Sequence, residues 1–306
     1  MKKVLILILL LILLGCAKQP TANHQTSGMV ILTSLEATNL LTQTLTVDTG
    51  IQTILTVPAT YSMNAHARYF KKHAKNFTEQ SVNAVACVTI RSIWKHDDLY
   101  PYARRANVRI VEIDSSAPVD KTQAGVKLIK ENKSGKISPF IWRSPANLTK
   151  MADFIAKDLM ALYPDQATQI DSNLKAFKRN LFKLRTKYEA KLIDLESTEV
   201  ISLTQDFDYL FSEFGIEVLD RFLKQQIDWD DEDIAALEKS IRDNGIKAVI
   251  CNRAPQGKIF EVIVTNGAQP VILDTLLTAD GQHLPPKLRL LVFFSDNLDK
   301  IYEGLK

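Results

Sequence analysis

The stretch IDSNLKAFKRNLFKLRTKYEAKLIDL, residues 170–195, is the longest regular pattern in the chain. Its apolar residues recur at intervals of three or four, with charged residues between them: Ile170, Leu174, Phe177, Leu181, Leu184, Tyr188, Leu192 and Leu195. This spacing places them on one face of an α-helix. A helix of about 30 residues would be about 45 Å long, which predicts an element that spans two lobes. A coiled-coil dimer is the alternative, because the stripe covers about four heptads.

The region before this helix alternates between β-rich runs and helical or turn-like segments. The β-rich runs are residues 29–33, 51–57, 85–90 and 108–113, and the segments between them are residues 35–45, 66–76 and 98–105. This alternation predicts a parallel sheet with crossover connections. Ser144 and Pro145 then supply an N-cap and a first helical residue, so a further helix is expected to run from there to about Tyr163.

The same alternation resumes after the long helix. Strands are predicted at residues 199–204, 217–219, 246–251 and 270–273, and helices at residues 207–214, 231–244, 258–266 and 287–305. Asp230 is expected to cap the second of these helices, and Gly245 and Gly267 to end two of them. The predicted fold class is therefore α/β, with two parallel-sheet lobes joined by one long bridging helix and a cleft between the lobes. The predicted boundaries are 29–163 for the N-terminal lobe, 164–196 for the bridging helix and 197–306 for the C-terminal lobe.

The first residues predict export. Lys2 and Lys3 precede an unbroken apolar run at residues 4–14, which is too short to span a bilayer as a helix of about 20 residues. The run ends in Leu-Leu-Gly-Cys, which resembles the bacterial lipobox, with Cys16 as the lipidated residue. We expect residues 1–15 to be a lipoprotein signal peptide and residues 16–28 to be a lipidated polar tether. The protein would then be exported and lipid-anchored to the cell-envelope membrane, on the periplasmic side or at the cell surface.

Composition and missing motifs exclude several other classes of protein. The chain has 306 residues, of which 46% are hydrophobic and 24% charged, and its formal charge of +3 is smaller still without Lys2 and Lys3. These values favour globular lobes and give no sign of a nucleic-acid partner. Nucleophile-elbow and dinucleotide-binding motifs are absent, so we expect no enzyme. We also expect the protein to be a monomer. Cys87 and Cys251 lie in apolar runs, which favours small core residues over a disulfide.

Several segments together resemble a known family. They are residues 31–34, 56–58, 138–142, 144–147, 202–209 and 271–274, in this order around the long helix. The chain from about Val30 to Leu305 resembles the zinc/manganese ABC-transporter solute-binding proteins. This resemblance implies a divalent metal, zinc or manganese, as the transported ligand and an ABC-transporter permease as the partner. It also implies a metal held in the cleft by three histidines, or by two histidines and a carboxylate, plus an aspartate at a strand end.

The family's metal ligands match this sequence only in part. Asp274 matches the strand-end aspartate, whereas Phe140 stands at a histidine position and Thr204 at the third-ligand position. His66 lies near the position of the first histidine. We therefore predict a metal site of His66, Asp206 and Asp274, with Asp208 as an alternative to Asp206. Such an oxygen-rich site is closer to a manganese site than to a zinc site.

The residues near these positions also allow a different ligand. Phe140, Trp142 and Trp94 could line the cleft with aromatic faces, together with Tyr100, Tyr102 and Thr204, while Arg91 and Arg143 could hold an anion. That arrangement is typical of a site for an organic ligand or a metal chelate. The predicted function is a solute-binding lipoprotein that captures a divalent metal or metal complex and delivers it to a permease. The alternative is an accessory lipoprotein with a degenerate metal site that binds a protein partner or an organic chelate.

Overall fold

The computed structural model describes residues 29–118, 124–131, 135–276 and 283–306. The predicted signal peptide, Cys16 and the polar tether lie outside these ranges. Of the helices within them, none combines the length and the apolar character needed to cross a bilayer.

The N-terminal lobe contains a parallel sheet of four described strands in the order β2-β1-β3-β4. The strands are β1 (Val30–Thr33), β2 (Gln52–Leu55), β3 (Ala84–Thr89) and β4 (Val111–Asp114), and the helices between them are α1 (Glu36–Leu45), α2 (His66–Lys72), α3 (Ala74–Val82) and α4 (Leu99–Ala106). Because the strands are parallel, their carboxyl ends lie at the same edge of the sheet. The predicted alternation is confirmed in this lobe.

Two boundaries in this lobe differ from the sequence prediction. The helix predicted over residues 66–76 is two helices, because His73 leaves the helical region with φ −111° and ψ 25°. The last strand was predicted from Val108, but it begins at Val111, and Val108 is 74% exposed. A β-branched residue in an exposed turn gives the same local signal as the start of a strand.

The C-terminal lobe contains a second parallel sheet of four described strands, in the order β6-β5-β7-β8. The strands are β5 (Glu199–Ser202), β6 (Glu217–Arg221), β7 (Ala248–Cys251) and β8 (Gln269–Ile272), and the helices are α7 (Asp208–Phe214), α8 (Asp231–Asn244), α9 (Gly257–Thr265) and α10 (Pro286–Leu305). Asp230 caps α8 as predicted, accepting a hydrogen bond from the backbone N–H of Asp233 at 3.0 Å. Gly245 ends the same helix at φ 61°.

Two helices lie between the two sheets along the chain. α5 (Pro145–Leu162) begins after Ser144, whose Oγ accepts a hydrogen bond from the backbone N–H of Asn147 at 3.0 Å, as expected of an N-cap. α6 (Ala167–Ile193) has 27 residues and is therefore about 40 Å long. The predicted long helix is thus confirmed.

The apolar stripe of α6 is covered by this chain itself. Phe177 and Tyr188 are fully buried, and the helix packs on α1, α5 and α10. The coiled-coil alternative is therefore wrong, because the face that would bind a second copy is already occupied. Leu184 is only half-buried, so the predicted stripe is incomplete at that turn.

The C-terminal helix provides a second connection between the lobes. α10 packs on β7 and β8 of its own lobe and also on α1 of the N-terminal lobe. Arg289 of α10 forms an ion pair with Glu36 of α1, with 2.6 Å between Nη1 and Oε1, and both side chains are nearly buried. The largest apolar cluster runs without interruption from Ile31 in the first sheet to Ile250 in the second. A continuous core of this kind opposes free hinge motion of the lobes.

The two cysteines of the folded part belong to different lobes. Cys87 lies in β3 and Cys251 in β7, and both are buried and free. The prediction that they are small core residues is confirmed.

Candidate ligand-binding cleft

A cavity of about 420 Å³ opens between the lobes where strands of both sheets end. We call it the cleft. Its wall includes residues from both lobes: Ser34, Glu36, Tyr61, His66, Trp94, Glu131, Phe140, Trp142, Arg143, Asp206, Asn252, Arg253 and Thr275. Ligands of open parallel sheets bind beyond the carboxyl ends of the strands, and the volume is within the range of about 300–1,000 Å³ found for small-molecule sites. The position and the size of the cleft are therefore those of a ligand site.

His66 stands in the first turn of α2, with its side chain in the cleft wall. Only 2% of the residue is exposed, and its ring meets the ring of Trp94 edge-on at 5.4 Å between centroids. Burial lowers the pKa of His66 to about 4, against a smaller opposing effect of the Tyr61 backbone. Its Nδ1 atom has no hydrogen-bond partner among the described residues. The imidazole is therefore neutral at physiological pH, which is the form that binds metals.

Asp206 lies in the short loop between β5 and α7 and reaches the cleft. Its carboxylate accepts a hydrogen bond from Nδ2 of Asn252 at 3.0 Å and lies 3.6 Å from Nη1 of Arg143. Asp208, the alternative carboxylate, lies two residues further along the chain and forms an ion pair with Arg221, with 3.0 Å between Oδ1 and Nη2. Of the two acids considered from the sequence, only Asp206 is part of the cleft wall.

Asp274 follows β8 and mainly shapes the loop in which it lies. Its Oδ1 accepts a hydrogen bond from the backbone N–H of Leu276 at 2.9 Å. Asn297 of α10 holds its backbone on both sides, accepting from the N–H at 2.8 Å and donating to the carbonyl oxygen at 3.0 Å. The next two residues line the cleft, but Asp274 itself does not. Among the residues that the structure describes, no three His, Cys, Asp or Glu side chains are arranged to hold a metal ion.

Arg143 provides the positive charge at this point of the cleft. Its side chain is 2% exposed, and the guanidinium lies between two aromatic rings, 4.4 Å from the centroid of Phe140 and 4.7 Å from that of Phe207. Nη1 donates to the carbonyl oxygen of Asp206 at 2.5 Å, and Nη2 donates to that of Thr275 at 3.3 Å. Arg143 comes from the N-terminal part of the chain, and these acceptors come from the C-terminal lobe. The guanidinium therefore links the lobes.

The charge of Arg143 persists despite its burial. Loss of solvation lowers the pKa of Arg143 to about 10, while the nearby carboxylates of Asp206 and Asp274 act in the opposite direction. The group is thus protonated at neutral pH. Each terminal nitrogen of Arg143 already donates one hydrogen bond to a backbone oxygen, so only part of the guanidinium is left for the predicted anion contact. Its Nε has no hydrogen-bond partner within the part of the chain that the structure describes.

The aromatic residues predicted to face the cleft largely do so. Phe140 and Trp142 lie edge-to-face at 5.7 Å, and Trp94 belongs to the same wall. Trp142 is nearly buried, and none of the described residues forms a hydrogen bond with its Nε1. Tyr61, 40% exposed, adds a further ring that the sequence reading did not include. The wall is therefore an aromatic surface interrupted by a few polar groups.

Arg91, predicted as a possible cleft residue, is not among the residues that line the cleft. Arg91 pairs with Glu112 at 3.0 Å and lies over the ring of Tyr100 at 5.9 Å from its centroid. Tyr100 and Tyr102 pack against a separate apolar cluster behind the first sheet. These residues are close to Trp94 in sequence, yet their contacts lie outside the cleft wall.

Thr204 borders a second hollow that adjoins the cleft. It is 5% exposed, and its Oγ1 accepts a hydrogen bond from the backbone N–H of Asp206 at 3.1 Å. Asn252 and Arg253 line both spaces and are not among the residues predicted from the sequence. The available signal was their position directly after β7, where side chains of a parallel sheet meet a ligand.

Two parallel-sheet lobes, a rigid connecting helix and a cleft at the strand ends define a solute-binding protein of the long-helix class. The chain belongs to the ZnuA family, whose model, described as zinc-uptake complex component A, periplasmic, matches residues 94–304. This family membership confirms the resemblance inferred from the sequence. A comparison with curated protein sequences finds no match.

Solved structures with the same fold cover most of the chain. The metal-dependent lipoprotein YcdH from Bacillus subtilis has a TM-score of 0.71 at 18% identity, over 90% of this chain and 98% of that chain. A manganese-bound variant of a periplasmic metal-binding protein from Candidatus Liberibacter asiaticus has a TM-score of 0.69 at 16% identity, over 90% and 99%. A zinc-bound deletion mutant of ZnuA has a TM-score of 0.67 at 18% identity, over 91% and 98%. At these identities the likeness establishes the shared fold.

Proposed function

We propose that this protein is the solute-binding component of a zinc- or manganese-type ABC importer, which captures its cargo in the cleft and delivers it to a permease. The observation that carries this proposal is the cleft itself, whose wall contains residues from both lobes at the strand ends. Membership in a zinc-uptake family supports the transport role. The zinc- and manganese-bound states named for two of the similar structures support a divalent metal as part of the cargo.

The geometry favours a metal complex over a bare ion. A zinc ion needs about three or four ligands at about 2.0–2.2 Å, and within the described residues no three suitable side chains meet. The carboxylate of Asp206 is already shared between Arg143 and Asn252. A metal that enters this cleft would therefore keep ligands of its own. His66 is the side chain best suited to add one more, because its imidazole is neutral and its Nδ1 is unpaired.

Direct titration of the full-length protein in detergent micelles tests this function. Zinc and manganese are added alone and premixed with dipicolinate, an aromatic dicarboxylate chelator, and heats are measured by isothermal titration calorimetry. We expect the chelated metal to bind at least about tenfold more tightly than the bare ion, a difference of about 1.4 kcal/mol. Phe140→Ala should weaken the complex, and Asp274→Ala should have little effect.

The reverse order would identify a bare-ion site. In that case Asp274→Ala abolishes zinc or manganese binding and Phe140→Ala barely matters. If neither the bare metals nor the chelated metals bind to any form of the protein, the importer role is refuted. An accessory lipoprotein that acts through a protein partner would then be favoured.

We also propose that the protein is anchored through Cys16. The Leu-Leu-Gly-Cys end of the apolar leader supports this. Cys16→Ser removes the thiol that receives the lipid, so the variant should keep its leader and change in mass. Unchanged membrane fractionation and unchanged mass would refute the anchor.

A further inference from the structure

We infer that the cargo carries a carboxylate or a similar oxyanion, which Arg253 binds at the mouth of the cleft while the aromatic wall packs on its organic part. This inference rests on the proposed function and specifies the chemical class of its ligand. It concerns a residue that neither the sequence prediction nor the metal-site pattern includes.

Within the described residues, the acidic groups of the cleft wall have interaction partners, whereas Arg253 has none. Glu36 is neutralised by Arg289 at 2.6 Å, and Asp206 is neutralised by Arg143. Glu131 has an interaction partner as well. Arg253 is exposed, lines the cleft, and has no ion pair or side-chain hydrogen bond with any residue in the described ranges. An arginine in this state keeps all five of its N–H donors for a ligand, in the fork that matches a carboxylate.

Unpaired groups deeper in the wall point to the same ligand chemistry. Of the buried side-chain atoms that lack a partner in the described residues, two are N–H donors of cleft residues, Trp142 Nε1 and Arg143 Nε. A buried donor without an acceptor is unfavourable, so an acceptor-rich ligand gains from entering this space. The guanidinium of Arg143 in the same wall carries a positive charge, which repels a bare cation and attracts an anion.

The shape of the cleft agrees with an organic ligand of moderate size. A coordinated bare ion has its ligands in direct contact and needs no further room, whereas the cleft encloses about 420 Å³. The rings of Trp94, Phe140 and Tyr61 supply flat apolar surface around this volume. A planar chelator with a carboxylate at one end can therefore pack on the aromatic wall and bind Arg253 at the mouth of the cleft.

The test compares two matched ligands and two matched arginine variants in the full-length protein. The ligands are the zinc complex of dipicolinate and the zinc complex of its uncharged diamide. The variants are Arg253→Gln and Arg109→Gln, since Arg109 is also exposed and lies in the N-terminal lobe away from the cleft. We expect Arg253→Gln to weaken binding of the dicarboxylate complex by about tenfold and Arg109→Gln to leave it unchanged. The diamide complex should bind the wild-type protein weakly and be insensitive to both variants.

Four results would overturn the inference. Equal affinity of Arg253→Gln and wild type for the dicarboxylate complex excludes recognition by this arginine, and equal affinity of the two ligands for wild type excludes an anion requirement. Tight binding of bare zinc with no binding of either complex leaves the importer function intact but refutes the anionic cargo. The absence of any binding by metal or complex refutes the importer function together with the inference.

Discussion

Replacement of Arg143 by methionine tests the link between the lobes. The change keeps much of the side-chain volume but removes two hydrogen bonds to backbone oxygens, the ion pair with Asp206 and the contacts with two aromatic rings. Loss of one member of a buried pair costs about 3–5 kcal/mol. Since the Asp206 side chain is 20% exposed and still accepts from Asn252, we expect a loss near the lower end of that range, about 3 kcal/mol.

Arg91→Met is the matched control. Its ion pair with Glu112 measures 3.0 Å between Nε and Oε1, but the Arg91 side chain is 40% exposed, so solvent screens the interaction. Such pairs contribute about 0–1 kcal/mol. The free energy of unfolding is measured by urea denaturation followed by circular dichroism at pH 7. Equal effects of the two substitutions, or a loss below about 1 kcal/mol for Arg143→Met, would refute the view that this guanidinium holds the lobes together.

Three further outcomes follow from the packing, the titrating groups and the altered ligand position. Phe177→Ala should lower the free energy of unfolding by about 3–5 kcal/mol because the ring is fully buried. Phe182 lies on the same helix but is 69% exposed, so Phe182→Ala should change the free energy of unfolding little. Similar losses for the two variants in urea denaturation would contradict the buried stripe. His66 has its pKa lowered to about 4 and Asp97 has its pKa raised to about 6, both mainly by burial, so acidification from pH 6.5 to 4 removes stability through the histidine and adds it through the aspartate. His66→Gln should therefore make the protein more stable at pH 5 than at pH 7, and a variant that still loses stability on acidification over this range would show that the histidine is not the opposing group. Phe140→His restores an imidazole at the family's ligand position but places it beside the buried guanidinium of Arg143. Zinc affinity measured by calorimetry should therefore rise by about tenfold or more only when Phe140→His is combined with Arg143→Met. An equal rise in the single variant Phe140→His would refute the role of the Arg143 charge.

The sequence alone determined the elements and their order. The period of α6, the N-cap of α5 at Ser144 and the capping residue Asp230 are signals carried by residues within a few positions of each other. The alternation of β-rich and helical runs fixed two parallel sheets in the same way, because each crossover needs its own helix. The family resemblance added the position of the cleft, and His66, Trp94, Phe140 and Asp206 do lie in its wall.

The tertiary structure alone decided which polar groups meet. The guanidinium of Arg143 reaches backbone oxygens 63 and 132 positions away, and no local pattern links these residues. Arg91 and Arg143 look alike in the sequence, yet one lies outside the cleft on Glu112 and the other is buried inside it. The physical reason is that strand ends bring distant loops to one edge, and the direction of each loop side chain depends on the packing of both lobes around it.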